Sequence, residues 1–198
     1  MILPRFYPIF DDADWLARML PLGVRLVQLR LKDRAPADLR DQIRRARDLC
    51  RAAGAILVVN DHWQIALEEG CDWVHLGQED LDRADLDAIR EGGLRLGIST
   101  HDTEELARAR ALRPDYIALG PVWPTILKKM KWHQQGVEKL TEWKALIGDV
   151  PLVAIGGLTP ERAVLAFAAG ADVASAVTDI TLNPDPEARV REWLRVTA

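Results

Sequence analysis

Short apolar runs alternate along this chain with longer amphipathic segments. The runs cover residues 5–10, 25–29, 55–59, 73–76, 95–98, 116–119, 152–155 and 172–177. Several are apolar at nearly every position, the pattern of parallel strands covered on both faces. Between them lie helix-type stretches. Residues 37–53 place Leu39, Ile43, Ala46, Leu49 and Cys50 on one face, with Arg and Asp on the other. Residues 102–111 open with an Asp-Thr-Glu-Glu capping run, and Thr159-Pro160-Glu161 opens another helix, with Thr159 as N-cap. Gly54, Gly70 and Gly170 follow helix-type runs, where a left-handed C-cap is wanted.

This repeat of about eight βα units, at roughly 25-residue spacing, predicts a (β/α)8 TIM barrel of the α/β class. The competing open doubly wound sheet would use five or six strands, and no G-x-G-x-x-G follows the first strand. No linker or low-complexity stretch divides the chain, so residues 1–198 are expected to form a single domain.

Composition narrows the function classes. The net charge is -4, which speaks against a general nucleic-acid binder and makes any anion site local. Cys50 and Cys71 carry no metal-ligand spacing and read as free thiols in apolar surroundings. The chain starts almost directly on a strand, with no charged-then-apolar leader and no apolar stretch of ~18 residues. A cytoplasmic protein acting on small molecules, without membrane or nucleic-acid partners, is the expectation. A homo-oligomer is compatible with this reading.

Candidate chemistry clusters just after the strands. Barrel strand ends converge on one mouth, so these scattered positions become neighbours. After the second strand, Gln28, Arg30 and Lys32 alternate at period two and point the same way if the strand continues. Unpaired charges at such an inward strand end are costly, which favours a fork plus point charge for phosphoryl oxygens over a solvated exit paired with Asp33 or Asp38. Asp61 follows the third strand and Asp80 the fourth. Two carboxylates on adjacent strand ends can share Mg²⁺ with substrate phosphates. Asn60 adds an amide beside them. The segment 121–136 is the longest apparent loop and holds Lys128, suited to swing over a phosphate. Gly156-Gly157 and Val177-Thr178 sit where barrels commonly hold a phosphate on backbone amides. His75 reads as packed or mouth-lining; His101 either caps a helix or meets a ligand. No Ser-His-Asp or Cys-His arrangement stands out.

Taken in order, Gln28-Leu29-Arg30-Leu31-Lys32, Asn60-Asp61, His75-Leu76-Gly77-Gln78-Glu79-Asp80, Gly97-Ile98-Ser99 and Gly120-Pro121 with Pro124-Thr125 and Lys128 resemble the thiamine phosphate synthase family. That family shares its barrel with the thiazole tautomerases. The resemblance runs from about Tyr7 to Thr181. It implies a transferase of thiamine biosynthesis. Such an enzyme joins hydroxymethylpyrimidine diphosphate to hydroxyethylthiazole phosphate and releases pyrophosphate.

Carried over by motif, Gln28, Arg30, Lys32, Asn60, Ser99 and Lys128 would hold the pyrimidine diphosphate, with Arg30, Lys32, Ser99 and Lys128 as the catalytic set. Asp61 and Asp80 would hold Mg²⁺. Thr125, Gly157, Val177 and Thr178 would hold the thiazole phosphate. The chain departs from the family pattern at Leu127, along Val173-Ala174-Ser175-Ala176 and at Asp179, all on the thiazole-phosphate side. Those departures keep two other readings in view, a tautomerase-like relative and a non-catalytic protein that binds thiamine precursors.

Overall fold

The computed structural model describes residues 2–125 and 134–198. Eight parallel strands close into a barrel in sequence order, β1 pairing with both β2 and β8. They are β1 (Phe6–Phe10), β2 (Leu26–Leu29), β3 (Ile56–Asn60), β4 (Trp73–Leu76), β5 (Arg95–Thr100), β6 (Tyr116–Leu119), β7 (Leu152–Ala154) and β8 (Val173–Ala176). The helices among the described residues are α1 (Ala13–Met19), α2 (Pro36–Ala53), α3 (Trp63–Glu68), α4 (Gln78–Leu81), α5 (Leu86–Glu91), α6 (Thr103–Ala111), α7 (Val137–Ile147), α8 (Pro160–Ala168), α9 (Thr178–Thr181) and α10 (Pro186–Val196). The βα repeat read from the apolar runs is therefore the architecture, with strand ends within about two residues of expectation. None of the described helices is long and apolar enough to cross a membrane.

Local signals account for the helix ends. The Thr159 hydroxyl accepts from the Arg162 amide at 3.3 Å with Pro160 in the first turn. The Asp102 carboxylate caps α6 by accepting from the Glu105 amide at 2.9 Å. Gly54, Gly70 and Gly170 adopt φ of 61°, 67° and 101°, the left-handed exits expected of them.

Burial separates two apolar layers. Outward strand residues such as Val27, Leu29, Val59, Val74 and Ile117 pack with the helices in one large core. Inward residues Leu3, Tyr7, Leu26, Val58, Trp73, Tyr116, Ala118, Val153 and Val173 form a second cluster inside the barrel. The alternation is the period of two along each strand.

Polar clamps lock the outer layer. Arg40, Arg44 and Arg47 follow one another at helical spacing along α2 and converge on Glu69, the residue after α3. The Glu69 side chain is only 7% exposed and accepts from Arg40 and Arg44 at 3.0 Å. Their guanidinium donors hold its carboxyl down near 2. Asp179, a departure from the family pattern on the thiazole-phosphate side, is engaged by α10. It accepts from Arg189 Nε and Nη2 at 2.8 Å and from Trp193 Nε1 at 2.7 Å, all on α10.

Candidate active site

The C-terminal strand ends gather the expected residues around one mouth. Beneath them lies a cavity of about 610 Å³, lined in part by Gln28, Arg30, Asn60, His75, Ser99 and Val177. Its apolar walls come from Ile9, Phe10, Trp15, Val153 and Ile155.

Gln28 is buried on β2 and Arg30 is exposed at its exit. The strand stops at Leu29, once the Arg30 amide has bonded the last carbonyl of β1, Phe10. The period-two alternation therefore does not extend to Lys32, because β1 offers no further partner. Lys32 instead reaches across to β3 and forms an ion pair with Asp61. Asp33 and Asp38 are not its partners; Asp38 pairs with Arg34. Arg30 makes no ion pair with another described residue.

Asp61 adopts φ 65°, a left-handed conformation that costs a non-glycine residue free energy and that Asp tolerates better than most. Its amide is tied to the His75 carbonyl at 2.9 Å. This turn brings the Asp61 carboxylate beside Asp80. The Asp80 carboxyl is raised above its ordinary value, first by burial, then by the charge and hydrogen bond of Asp61. Lys32 and the Gly77 amide partly offset this. Two crowded carboxylates that want a proton or a cation fit a divalent ion well. No group of three or more His, Cys, Asp or Glu suited to a metal occurs among the described residues, so substrate or water oxygens would complete the coordination. That donor set suits Mg²⁺ better than a metal needing an all-protein cage.

The remaining residues of the His75–Asp80 motif serve the same wall. Gln78 Nε2 donates to the Ser99 carbonyl at 2.7 Å and braces the end of β5. Ser99 Oγ lies 2.7 Å from His75 Nε2. His75 Nδ1 lies 2.8 Å from the Tyr116 hydroxyl, which is 2.9 Å from the Tyr7 hydroxyl. Tyr7 in turn accepts from Gln28 Nε2 at 2.9 Å. Burial pushes His75 down to about 4, so the ring is neutral at neutral pH. Both tyrosine hydroxyls are raised by burial.

His75 thus lines the cavity, as the sequence suggested. Tyr7, Tyr116 and Ser175 were not anticipated. Their only signal was a hydroxyl at an inward position of an otherwise apolar strand. Ser175 lines the cavity, and its buried Oγ has no hydrogen-bond partner among the described residues. His101 lies against Glu105, its Nδ1 2.7 Å from that carboxylate, and does not line the cavity.

On the opposite side of the mouth, Gly156 and Gly157 have φ of 95° and 63°. A Cβ on Gly157 would meet the Pro124 carbonyl oxygen at 2.4 Å and Trp123 Cβ at 2.9 Å, so this turn is pressed onto the loop after β6. Thr125, on that loop, is half-buried. Val177 and Thr178 stand at the start of α9, Val177 on the cavity wall and Thr181 beside it. Lys128 and Leu127 lie outside the described residues. The far end of that segment returns to the barrel through Gln135 and Gly136 amides bonded to the Pro121 and Val122 carbonyls.

Comparison with known proteins places the chain in a family. A family model described as thiamine monophosphate synthase matches residues 6–180. The thiamine-phosphate synthase of Rhizobium etli is 62% identical over 198 residues, covering 100% of this chain and 97% of its own length. That of Serratia proteamaculans is 44% identical over 190 residues, covering 96% and 90%. Among solved structures, thiamine phosphate pyrophosphorylase from Pyrococcus furiosus superposes with a TM-score of 0.87 at 24% identity, over 98% of this chain and 95% of its own, a likeness of fold. With its motifs gathered at one mouth and its family model matched from the first strand to α9, the chain belongs to the thiamine monophosphate synthase family.

Proposed function

We propose that this protein is a thiamine phosphate synthase. It couples hydroxymethylpyrimidine diphosphate to hydroxyethylthiazole phosphate and releases pyrophosphate. The observation that carries the reading is the junction of three features at one mouth. These are the Arg30 and Lys32 cations, the crowded Asp61–Asp80 pair and a largely apolar cavity below them.

In this reading Arg30, Lys32 and Lys128 bind the diphosphate, Asn60 and Ser99 hydrogen-bond the bound substrate, and Gln28 reads the pyrimidine ring. Asp61 and Asp80 would hold Mg²⁺, which when bound neutralises charge on the leaving diphosphate. The C–O bond to diphosphate breaks with its electron pair leaving on oxygen. The aminopyrimidine ring feeds electrons to the carbon left behind. The thiazole nitrogen then donates its lone pair to form the new C–N bond. No protein nucleophile is needed. Cations fixed in place act where negative charge grows, and the walls of Ile9, Phe10, Val153 and Ile155 keep water from the electron-poor carbon. Thr125, Gly157, Val177 and Thr178 form the acceptor phosphate side. Asp179, held by Arg189 and Trp193, does not oppose an anion there. Cys50 and Cys71 are both free thiols, which suits a cytoplasmic enzyme.

The test is pyrophosphate release by purified protein, with each substrate alone and both together, in Mg²⁺ and then in EDTA. Release that needs both substrates and the metal is expected. Isomerisation of a thiazole carboxylate phosphate in EDTA would replace this reading with the tautomerase. Tight diphosphate binding without turnover would replace it with the binding protein.

A further inference from the structure

The Gln28–Tyr7–Tyr116–His75–Ser99 chain runs around the inside of the barrel and ends in the cavity at both extremities. Its hydrogen-bond directions follow from counting protons. Gln28 Nε2 is a donor, so the Tyr7 oxygen accepts from it. Tyr7 is 2% exposed and its hydroxyl has one other partner, Tyr116, so its single proton goes there. Tyr116 is fully buried, and its own proton then goes to His75 Nδ1. With Nδ1 acting as an acceptor, the ring carries its proton on Nε2 and donates to Ser99 Oγ. Ser99 therefore turns its own proton toward the cavity. At the other end, Gln28 has committed its Nε2 to Tyr7, and its Oε1, which bonds to no other described residue, is left as an acceptor.

We infer that Tyr7, Tyr116 and His75 are positioning residues that order these hydrogen bonds in one direction, so that Gln28 meets the pyrimidine as an acceptor and Ser99 meets the substrate as a donor. This rests on the synthase reading above and adds to it a basis for choosing the ring. Reversing the Gln28 amide would reverse every donor in the chain, so the two ends cannot be set independently. An exocyclic amine on the pyrimidine matches the direction observed. A ring bearing a carbonyl oxygen in its place meets an acceptor with an acceptor and is rejected. Tyr116 does not line the cavity, so it can influence a ligand only through its neighbours.

The experiment measures the affinity of wild type, Tyr116→Phe and Tyr7→Phe for two ligands by calorimetry in Mg²⁺. The ligands are hydroxymethylpyrimidine diphosphate and its analogue with the exocyclic amine replaced by a carbonyl oxygen. Wild type should prefer the amine at least ~100-fold. Each variant should fall to a preference within about threefold, because the end groups can then reorient. The KM for the thiazole phosphate should not move. A merely structural role would weaken both ligands alike and keep the ratio, and that result would overturn the inference. Should Tyr116→Phe fail to fold, Tyr7→Phe decides alone. Wild type binding neither diphosphate would overturn the synthase reading and this inference with it, whereas amine preference unchanged in folded variants removes the inference only.

Discussion

Gly97 offers the most direct test of how the barrel builds this site. It stands on β5 between His75 of β4 and Tyr116 of β6, in register with both. Having no side chain, it lets those two residues meet across it. Their rings stack at 5.6 Å, and Nδ1 reaches the hydroxyl at 2.8 Å. A Cβ at this position would lie 2.0 Å from Tyr116 Cζ and 2.5 Å from its hydroxyl. Ordinary contact begins near 3.4 Å, so in Gly97→Ala the phenol must retreat by about 1.4 Å. It has nowhere to go. Tyr116 is 0% exposed and is bounded by Tyr7 at 6.0 Å and Trp73 at 6.1 Å between ring centres.

Overpacking of this kind costs roughly 1–3 kcal/mol. A shift that size also stretches the bonds to His75 and Tyr7 out of range, at about 1 kcal/mol each. Gly97→Ala should then lose about 3–5 kcal/mol, a fall in Tm of roughly 6–20 °C for a chain of this length. Urea denaturation of a double-mutant cycle with Tyr116→Leu isolates the cause. With the ring gone, adding Ala at position 97 should cost under about 1 kcal/mol. If Gly97→Ala costs as much in the Tyr116→Leu background as in wild type, the steric argument is wrong.

Other expectations follow from the same geometry. Asp61→Asn should lower the titration midpoint of Asp80, read by carboxyl NMR, since Asp61 is the largest influence on it after burial. Mg²⁺ with pyrophosphate should raise the wild-type Tm; at 100 times its Kd a ligand adds about 2.7 kcal/mol. That shift should vanish in both Asp61→Asn and Asp80→Asn. Glu69→Gln should destabilise the protein at pH 7 by roughly 1–2 kcal/mol, by loss of charge-assisted hydrogen bonds that are partly screened. The Glu69 carboxyl is lowered in the fold from 4.5 to about 2, so its contribution is complete above 4.5 and is lost as pH falls toward 2. The difference in Tm between wild type and Glu69→Gln should therefore shrink across that window. Ser175→Ala removes a buried hydroxyl with no partner among the described residues and should raise the ligand-free Tm by about 2–4 °C in calorimetry; a fall would show that the hydroxyl is satisfied.

What the sequence revealed was local or followed from strand order. Apolar runs marked the strands, and the rule that strand ends converge gathered Arg30, Asn60, Asp61, Asp80 and Ser99. What it hid was contact between residues far apart in the chain. Tyr7 and Tyr116 are 109 residues apart and meet only because the sheet closes on itself. Each alone reads as an ordinary aromatic in a strand. Asp179 stood out only as a departure from the family pattern, because its partners, Arg189 and Trp193, lie 10 and 14 residues further on, beyond any local pattern. Lys32 was read in line with Gln28 and Arg30, and it pairs with Asp61 because β2 ends at Leu29, three residues before it.

The inward positions also explain why the site is stiff. On four strands the interior changes from apolar to polar within one step of two residues: Leu26 to Gln28, Val58 to Asn60, Trp73 to His75, and Val173 to Ser175. The lower row fills the barrel and the upper row lines the cavity. The polar groups of the relay therefore rest on a packed floor and are held by strand hydrogen bonds below and by one another across the lumen. Such groups cannot adjust singly, since moving one leaves a neighbour unpaired where burial makes that costly. A methyl group at Gly97, which does not line the cavity, should consequently reach Ser99 through Tyr116 and His75. Changes at an exposed position such as Arg34 have no such route.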